Sequence, residues 1–265
     1  MAITLGIDIG STSSKCVLLE DGTNIIDKTI YHAGAGTVGA SKAFEEILEK
    51  NNLKAEDLDF IMATGYGRTI FKAAHSEVSE LSCHAKGVFA TFPEVRTIID
   101  IGGQDAKVIR LTDKGIIDSF VMNDKCAAGT GRFLEVMSVI LQIELGEMEK
   151  HALEAKKPVK ISSTCTVFAE SEVISQLSKG ETTEDIIGGI CTSVASKVAT
   201  LAKRGVIKDK IFMSGGVAQN GGVRDALSKV LEKEILCSDS SQFMGALGAA
   251  IVGYERHTKQ FREVS

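Results

Sequence analysis

The sequence of 265 residues lacks the features that would assign it to membranes, to secretion or to nucleic acids. Residues 1–5 show none of the charged and apolar regions of a signal peptide, and no apolar run approaches membrane-spanning length. Acidic and basic residues are interspersed at a formal net charge of -5, which leaves no broad basic stripe to neutralise a phosphate backbone. We therefore expect a cytoplasmic protein with no membrane and no nucleic acid as partner.

Closely spaced metal-ligand motifs are also missing. The six cysteines are scattered and the five histidines show no metal-type pairing, which argues against a zinc ribbon, a ferredoxin-type run and a disulfide scaffold. The composition is ordinary, with 44% apolar and 25% charged residues, so disordered and fibrous classes are excluded. A chain of this length buries one large core or two modest ones, and two lobes fit its length.

An internal repeat is the most informative feature of the sequence. Residues 4–15 read TLGIDIGSTSSK, and residues 97–107 repeat the Asp, Gly and Lys at matching offsets in TIIDIGGQDAK. Each copy is an apolar run that ends in Asp-Ile-Gly, followed by small or polar residues and a second β-rich run. The repeat therefore predicts two hairpins, each with a tight polar turn.

The turn of each predicted hairpin suits a bound phosphate. Main-chain N–H groups beside glycine and small hydroxyl residues can approach phosphate oxygens. A carboxylate at the strand end can hold Mg2+ through water, and Asp8 and Asp100 fit that role. For either copy alone an ordinary β-turn is the alternative, but two matched copies favour phosphate binding. The predicted phosphate contacts are Gly10, Ser11, Thr12, Ser13, Ser14 and Lys15 in the first copy and Gly102 and Gly103 in the second.

Further glycine-rich segments lie outside the repeat. Residues 242–250 carry small residues at helical spacing, which lets a helix approach another backbone closely. Residues 63–68 end a strand and are either a simple turn or part of the site. Residues 210–220 resemble an adenosine-binding turn that opens a helix over about residues 222–233. Its predicted contacts are Gly215, Gly216, Gln219 and Asn220.

Cys126 and Cys165 do not follow the pattern of core residues. Each stands in a polar loop directly before a predicted amphipathic helix, where the partial positive charge of the helix N-terminus favours a thiolate. Two thiolates are too few for a four-iron cluster unless a twofold dimer supplies four. A redox-switch pair and two unrelated helix caps are the competing interpretations. The cysteines predicted to pack in the core are Cys16, Cys191, Cys237 and, by default, Cys83.

In their order along the chain, these motifs resemble the superfamily of acetate and sugar kinases, heat-shock chaperones and actin. The resemblance covers the whole chain and implies an α/β fold of two duplicated ribonuclease H-like lobes, each with a mixed five-stranded sheet. It implies a first lobe of residues 1–95, to which a helix of residues 246–265 returns, and a second lobe of residues 96–245. It also implies that the lobes clamp ATP, with the adenine against residues 215–220 and near Gln242.

Three longer motifs, IDIGGQD, MNDKCAAGTGR and SSTCTVFAESE, resemble more narrowly the activators of 2-hydroxyacyl-CoA dehydratases in the BadF/BadG/BcrA/BcrD ATPase family. This resemblance implies a homodimer with one oxygen-sensitive [4Fe-4S] cluster, whose metal ligands are Cys126 and Cys165 of each chain. It also implies ATP-driven transfer of a low-potential electron to a separate dehydratase, component D, with ferredoxin or flavodoxin as the reductant.

The implied mechanism assigns the remaining motif residues. ATP hydrolysis would rotate the lobes and gate electron transfer, because the nucleotide binds the two conformations unequally. Gln104 and Asp105 are the candidates for orienting the attacking water beside Mg2+. Three alternatives stay open: an ATP-coupled subunit of a benzoyl-CoA reductase, a small-molecule kinase with the same nucleotide clamp, and a non-redox assembly ATPase.

Overall fold

The computed structural model describes residues 1–162 and 165–264, with side chains described up to residue 259. The chain divides into two compact units. Each unit has its own five-stranded sheet with parallel and antiparallel pairs, which confirms the predicted α/β fold. The first unit comprises Met1–Val95, Leu111–Ile117 and Gln242–Ser265, and the second comprises Arg96–Arg110 and Asp118–Ser241.

The first unit carries strands β1 to β5 and helices α1 and α2. They are β1 (Ile3–Ile9), β2 (Ser14–Glu20), β3 (Asn24–Tyr31), α1 (Gly39–Lys50), β4 (Phe60–Thr64), β5 (Ser76–Glu77) and α2 (Glu80–Thr91). The strand order is β3-β2-β1-β4-β5, with β1 antiparallel to β2 and parallel to β4. The predicted first hairpin is confirmed, and its register sets Asp8 opposite Lys15.

The second unit repeats this sheet. Its elements are β6 (Thr97–Ile101), β7 (Ala106–Leu111), β8 (Ile117–Asn123), α3 (Gly131–Leu141), α4 (Met148–Glu154), α5 (Thr166–Ser178), α6 (Thr183–Ala202), β9 (Ile211–Ser214), α7 (Gly221–Leu231) and β10 (Ile235–Leu236). The order β8-β7-β6-β9-β10 matches that of the first sheet, again with an antiparallel hairpin and a parallel neighbour. The predicted second hairpin is confirmed, with Asp100 opposite Lys107.

Strand β1 is buried on both faces, and the alternation of its side chains decides which neighbouring element each residue contacts. Leu5, Ile7 and Ile9 belong to one core cluster with residues of α1. The opposite face meets the last helix, α8 (Met244–Val264), so closely that a Cβ at Gly6 would lie 2.0 Å from the Ala246 carbonyl oxygen. The predicted close approach of the small-residue helix is therefore confirmed. Because side chains alternate along a strand, Asp8 lies on the same face as Gly6.

Helix α6 is the central apolar helix of the second unit. Its buried residues join the largest core cluster of that unit. The guanidinium of Arg110 ends it by donating to the carbonyl oxygens of Ala202, at 2.9 Å, and Val206, at 2.8 Å. Within the described chain, α6 alone is long and apolar enough to cross a membrane, so the expectation that no apolar run reaches that length is wrong. Of the tested window 67% is buried inside the protein, as in a core helix.

Candidate functional site

The turn of the first hairpin is closed by its own main chain. The Gly10 amide donates to the Ser13 carbonyl oxygen at 3.0 Å, and the Ser14 hydroxyl donates to the Ala33 carbonyl oxygen at 3.1 Å. Gly10 and Ser14 therefore use these donors to shape the turn. The amides of Ser11, Thr12 and Ser13 make no main-chain hydrogen bond to any described residue, so these turn donors are left for an anion.

Asp8 ends β1 as a buried carboxylate that lacks a donor. The residue is 4% exposed, and within the described part of the chain its Oδ1 accepts no hydrogen bond. A Cβ at Gly245 of α8 would lie 2.6 Å from Oδ2, so the carboxylate packs directly against that helix. Leaving a buried charge without a partner is costly, and a hydrated cation beside it would supply the missing donors. Asp8 therefore fits the predicted Mg2+ site.

Lys15 lies opposite Asp8 and is likewise unpaired. The residue is 8% exposed, and its ammonium makes no ion pair with any residue in the described ranges. Its Nζ would lie 3.8 Å from a Cβ at Gly10, which places the ammonium beside the turn. The first hairpin thus presents an unsatisfied carboxylate and an unpaired cation together, the complement of a metal ion with an anionic oxygen ligand.

The second hairpin has the same turn but a different electrostatic state. The Gly102 amide donates to the Asp105 carbonyl oxygen at 2.9 Å, as in the first turn. The ammonium of Lys107 lies 2.7 Å from Asp105 Oδ2 and 3.4 Å from Asp100 Oδ2. The Ser214 hydroxyl donates to Asp100 Oδ1 at 2.8 Å. Asp100 and Asp105 therefore lie close together and share the ammonium of Lys107. The neighbouring Gln104 is exposed.

The second turn is also bonded to the start of α3. The amide of Gly131 donates to the Gly102 carbonyl oxygen at 2.9 Å, and the amide of Arg132 donates to the Gly103 carbonyl oxygen at 2.7 Å. Free amides at a helix start need acceptors, and here the turn supplies two of them. The predicted phosphate loop of the second unit and the helix that follows the Cys126 loop therefore share hydrogen bonds.

The sequence analysis did not predict that two glycines pack against the aspartates of the repeat. Gly65 follows β4 and Gly215 follows β9, and both have φ of +86°. A Cβ at Gly65 would lie 2.4 Å from Asp8 Oδ1, and one at Gly215 would lie 2.9 Å from Asp100 Oδ1. Each glycine thus makes room for the carboxylate of the repeat. The signal available in the sequence was a hydroxyl residue followed by Gly at the end of each strand, Thr64 and Ser214.

The predicted adenosine-binding residues occupy one turn after β9, apart from Gln242. Gly216 and Gln219 are exposed within a 3-10 turn, whereas Asn220 Oδ1 accepts from the Val223 amide at 3.0 Å and so caps α7. The predicted helix of residues 222–233 is α7, which ends at Leu231 because Glu232 has a left-handed φ of 54°. Gln242 is half-buried in a turn that precedes α8. Their contact with adenosine stays a prediction.

The two loop cysteines are exposed, as their assignment as ligands requires. Cys165 is the N-cap residue of α5, as predicted. The predicted start of the next helix near Thr130 is confirmed, since Thr130 is the N-cap of α3. The predicted position of Cys126 at that helix terminus is wrong, because a turn of Ala127 to Thr130 intervenes. The Asn123 side-chain amide holds the Cys126 carbonyl oxygen at 3.0 Å. Ser163 and Thr164 of the second motif lie outside the described residues.

The other cysteines divide into buried and exposed. Cys16, Cys83 and Cys191 are buried, as predicted. Burial raises the pKa of the Cys83 and Cys191 thiols to about 12 and raises that of Cys16 as well. Cys237 is exposed, so its assignment to the core is wrong: β10 is only two residues long and ends at Leu236, which leaves Cys237 beyond the sheet.

Helix α5, which begins after Cys165, leaves much of its apolar surface uncovered. Only Ala169 and Val173 are buried in this helix. A helix of a folded unit normally buries its apolar side chains, and a continuous exposed apolar surface is typical of a contact with another chain. The exposed large apolar side chains of α5 are Val167, Phe168, Ile174 and Leu177.

Comparisons with known proteins agree with one another. A sequence profile described as the BadF/BadG/BcrA/BcrD ATPase family matches residues 5–253. The (R)-2-hydroxyglutaryl-CoA dehydratase activating ATPase of Acidaminococcus fermentans is 53% identical over 258 residues, which are 97% of this chain and 98% of that protein. The activator of lactoyl-CoA dehydratase of Anaerotignum propionicum is 52% identical over 257 residues, which are 97% of this chain and 99% of that protein.

A solved structure is similar in fold and sequence. It is the activator of the 2-hydroxyisocaproyl-CoA dehydratase from Clostridium difficile with bound ADPNP. The match has a TM-score of 0.97 and 47% sequence identity, and it covers 99% of this chain and 98% of that chain. The similarity therefore extends over both units.

Proposed function

Because the chain belongs to the BadF/BadG/BcrA/BcrD ATPase family, we propose that it is the ATP-dependent activator of a 2-hydroxyacyl-CoA dehydratase. Relatives and a solved structure that are named as such activators match nearly the whole chain at 47% to 53% identity. In this role the protein hydrolyses ATP and passes one low-potential electron to a separate dehydratase, and it works in the cytoplasm.

The single observation that carries the ATPase assignment is the pair Asp8 and Lys15. Both side chains are buried and face each other across the hairpin, yet among the residues described neither forms an ion pair, and Asp8 Oδ1 accepts no hydrogen bond. A fold tolerates such groups when a ligand completes them, since a buried charge without a partner costs free energy in the free protein. Asp8 holds Mg2+ through its water ligands, and Lys15 binds an oxygen of the phosphate chain.

The remaining motif residues act around the phosphate chain. The amides of Ser11 and Thr12 donate to phosphate oxygens, together with hydroxyls of the first turn. Asp105 accepts a hydrogen bond from the attacking water, and Asp100 lies in the same buried cluster. Adenosine lies against residues 215–220 and Gln242.

The exposed thiols Cys126 and Cys165 fit an iron-sulfur cluster in number and chemistry. Four thiolates are needed for a [4Fe-4S] cluster, and a twofold dimer supplies them when each chain gives two. When bound, the cluster supplies one-electron transfer at low potential. The chain's part is to keep both thiols accessible, which the loops before α3 and α5 do.

The uncovered apolar surface of α5 supports a homodimer. The helix begins directly after Cys165, so a second copy that covers Val167 and Phe168 would come close to the thiol. An isologous contact would bring the same surface and the same thiols from each subunit. Oxygen, by destroying the cluster, would then weaken the dimer. A ferredoxin or flavodoxin would supply the electron.

One experiment separates this function from a kinase or an assembly ATPase. The protein is purified without oxygen, and iron, acid-labile sulfide and the electron paramagnetic resonance spectrum are measured with and without Mg-ATP. It is then mixed with a 2-hydroxyacyl-CoA dehydratase, Mg-ATP and a strong reductant. We expect about four iron atoms per dimer and dehydration that requires ATP and this protein. An iron-free protein, or dehydration that is indifferent to it, would contradict the proposal.

A further inference from the structure

The two hairpins carry lysines at the same register with different partners. Lys15 stands opposite Asp8, and Lys107 stands opposite Asp100. Both lysines are buried, at 8% and 2% exposure. Lys107 is paired with two carboxylates, whereas Lys15 pairs with none in the described ranges. The duplicated position has therefore acquired two electrostatic roles.

One residue of the turn accounts for the shorter of the two ion pairs of Lys107. Gly10 bonds to the Ser13 carbonyl oxygen, and Gly102 bonds to that of Asp105, so residues 13 and 105 are equivalent. Asp105 reaches the ammonium of Lys107 at 2.7 Å. Ser13 has no charge to offer Lys15. The ammonium of Lys15 is consequently left for an external anion, and that of Lys107 is already taken by the protein.

The hydroxyl at the end of the neighbouring strand differs as well. The Ser214 hydroxyl donates to Asp100 Oδ1 at 2.8 Å, whereas the Thr64 hydroxyl donates to the Val78 carbonyl oxygen at 3.0 Å. Asp100 is thus held by Ser214 on one oxygen and by Lys107 on the other. Fixed donors on both oxygens orient a carboxylate and leave it little freedom to move.

We infer that Lys107 is a positioning residue for ATP hydrolysis, which acts by holding the carboxylate of Asp105, while its counterpart Lys15 binds the nucleotide directly. This inference rests on the proposed ATPase function. The side chain of Asp105 is 27% exposed, so water can reach part of it while Lys107 holds Oδ2. A carboxylate fixed in this way can accept a hydrogen bond from a water molecule in one defined direction.

The step that Asp105 serves is the attack of water on ATP. The water oxygen bonds to the γ-phosphorus, and the bond between that phosphorus and the bridging oxygen breaks. The bonding pair leaves with ADP, and the proton of the water passes by way of Asp105 to solvent, so the products are ADP, phosphate and a proton. Lys107 takes no part in bond making. Its role is to keep Asp105 in place.

Steady-state ATPase kinetics test this division of roles. Lys107→Met is expected to lower kcat by roughly 100-fold with little change in KM, since a misplaced base loses its contribution to the chemical step. Lys15→Met is expected to raise KM by roughly 10-fold, because it removes a contact made to bound ATP. A Lys107→Met variant with a raised KM and an unchanged kcat would overturn the inference.

A double-substitution cycle shows whether Lys107 acts through Asp105. If it does, Lys107→Met should cost little further kcat once Asp105→Asn is present, since residues that act as one unit are not additive. Fully multiplicative losses would overturn the inference. Lys229→Met is the matched control, because it breaks an ion pair with Asp225, at 2.6 Å, on the exposed face of α7. Its kinetics should equal those of the wild type.

Circular dichroism and one further variant distinguish loss of folding from loss of function. Lys107→Met strips a buried cation from two carboxylates, so circular dichroism checks its fold. Lys107→Arg keeps the charge and can still bond Asp105, so its kcat should stay within roughly 10-fold of the wild type, a comparison that does not require the Met variant to fold. A larger loss of kcat in a folded Arg variant would count against the inference. Absence of ATPase activity in the wild type would instead refute the proposed function.

Discussion

Gly65 lies so close to Asp8 that a Cβ at residue 65 would come within 2.4 Å of the carboxylate oxygen Oδ1. We therefore predict that Gly65→Ala displaces Asp8 and lowers Mg-ATPase activity by at least 10-fold, since a misplaced ligand group weakens the metal site. Gly180→Ala is the control, because Gly180 has a similar φ of +79° but no atom within 4 Å of its Cβ position. The two variants share the backbone strain, so equal ATPase losses in both would contradict the steric explanation.

The substitutions Asp8→Asn and Asp100→Asn should have different effects on the stability of the folded protein. Asp8→Asn removes a buried charge that has no donor on Oδ1, so without nucleotide its melting temperature should equal or exceed that of the wild type, although hydrolysis is lost. Asp100→Asn breaks its contact with Lys107 and should cost about 3 kcal/mol. Differential scanning calorimetry of both variants, with and without Mg-ATP, measures this. A marked loss of stability in Asp8→Asn would show that its carboxylate is satisfied in the free protein.

The cysteine ligands predict a link between metal content and oligomeric state. Cys126→Ala or Cys165→Ala leaves two thiolates at a twofold site, so iron should be lost and the dimer should weaken. Cys237→Ser is the matched control, since Cys237 is also exposed but lies at the end of β10. Iron analysis and light scattering of anaerobic samples measure both properties. Full iron in both alanine variants would refute the shared cluster.

Thiol alkylation should divide the six cysteines by burial. In the metal-free folded protein we expect iodoacetamide to label Cys126, Cys165 and Cys237, while the cluster-bound protein should expose Cys237 alone. The buried thiols should stay unlabelled between pH 7 and 9, because the pKa of Cys83 and Cys191 is raised to about 12 and the thiolate forms only as pH approaches that value. Peptide mass spectrometry reads the labels. Labelling of Cys83 in the folded protein would contradict its burial.

The repeated Asp-Ile-Gly motif made the hairpins and their sheets predictable, because strand alternation and turn residues are local properties of the sequence. The partners of Lys15 and Lys107 were not predictable in this way. Whether each ammonium is paired depends on turn geometry and on residues distant in the chain, such as Ser214. The contact of Gly65 with Asp8 was not predictable for the same reason, since it arises from the parallel pairing of β1 and β4.

The wrong predictions for the positions of Cys237 and Cys126 also have a physical explanation. Cys237 follows an apolar run that looks like a buried strand, but β10 is short and the chain leaves the sheet before the thiol. Cys126 stands close to a helix in sequence, yet the helix begins only after the turn at Thr130. The end of β10 was therefore misplaced, whereas the start of α3 near Thr130 was predicted correctly and only the separation of Cys126 from it was overlooked.

The main-chain bonds from Gly131 and Arg132 to the carbonyl oxygens of Gly102 and Gly103 act as a mechanical joint. A displacement of the second turn must either carry the start of α3 along or break both bonds. The joint lies wholly inside the second unit, and the Cys126 loop leads directly into it. A displacement of the turn would therefore be transmitted to the start of α3 through main-chain hydrogen bonds, which do not depend on the identity of the side chains around them.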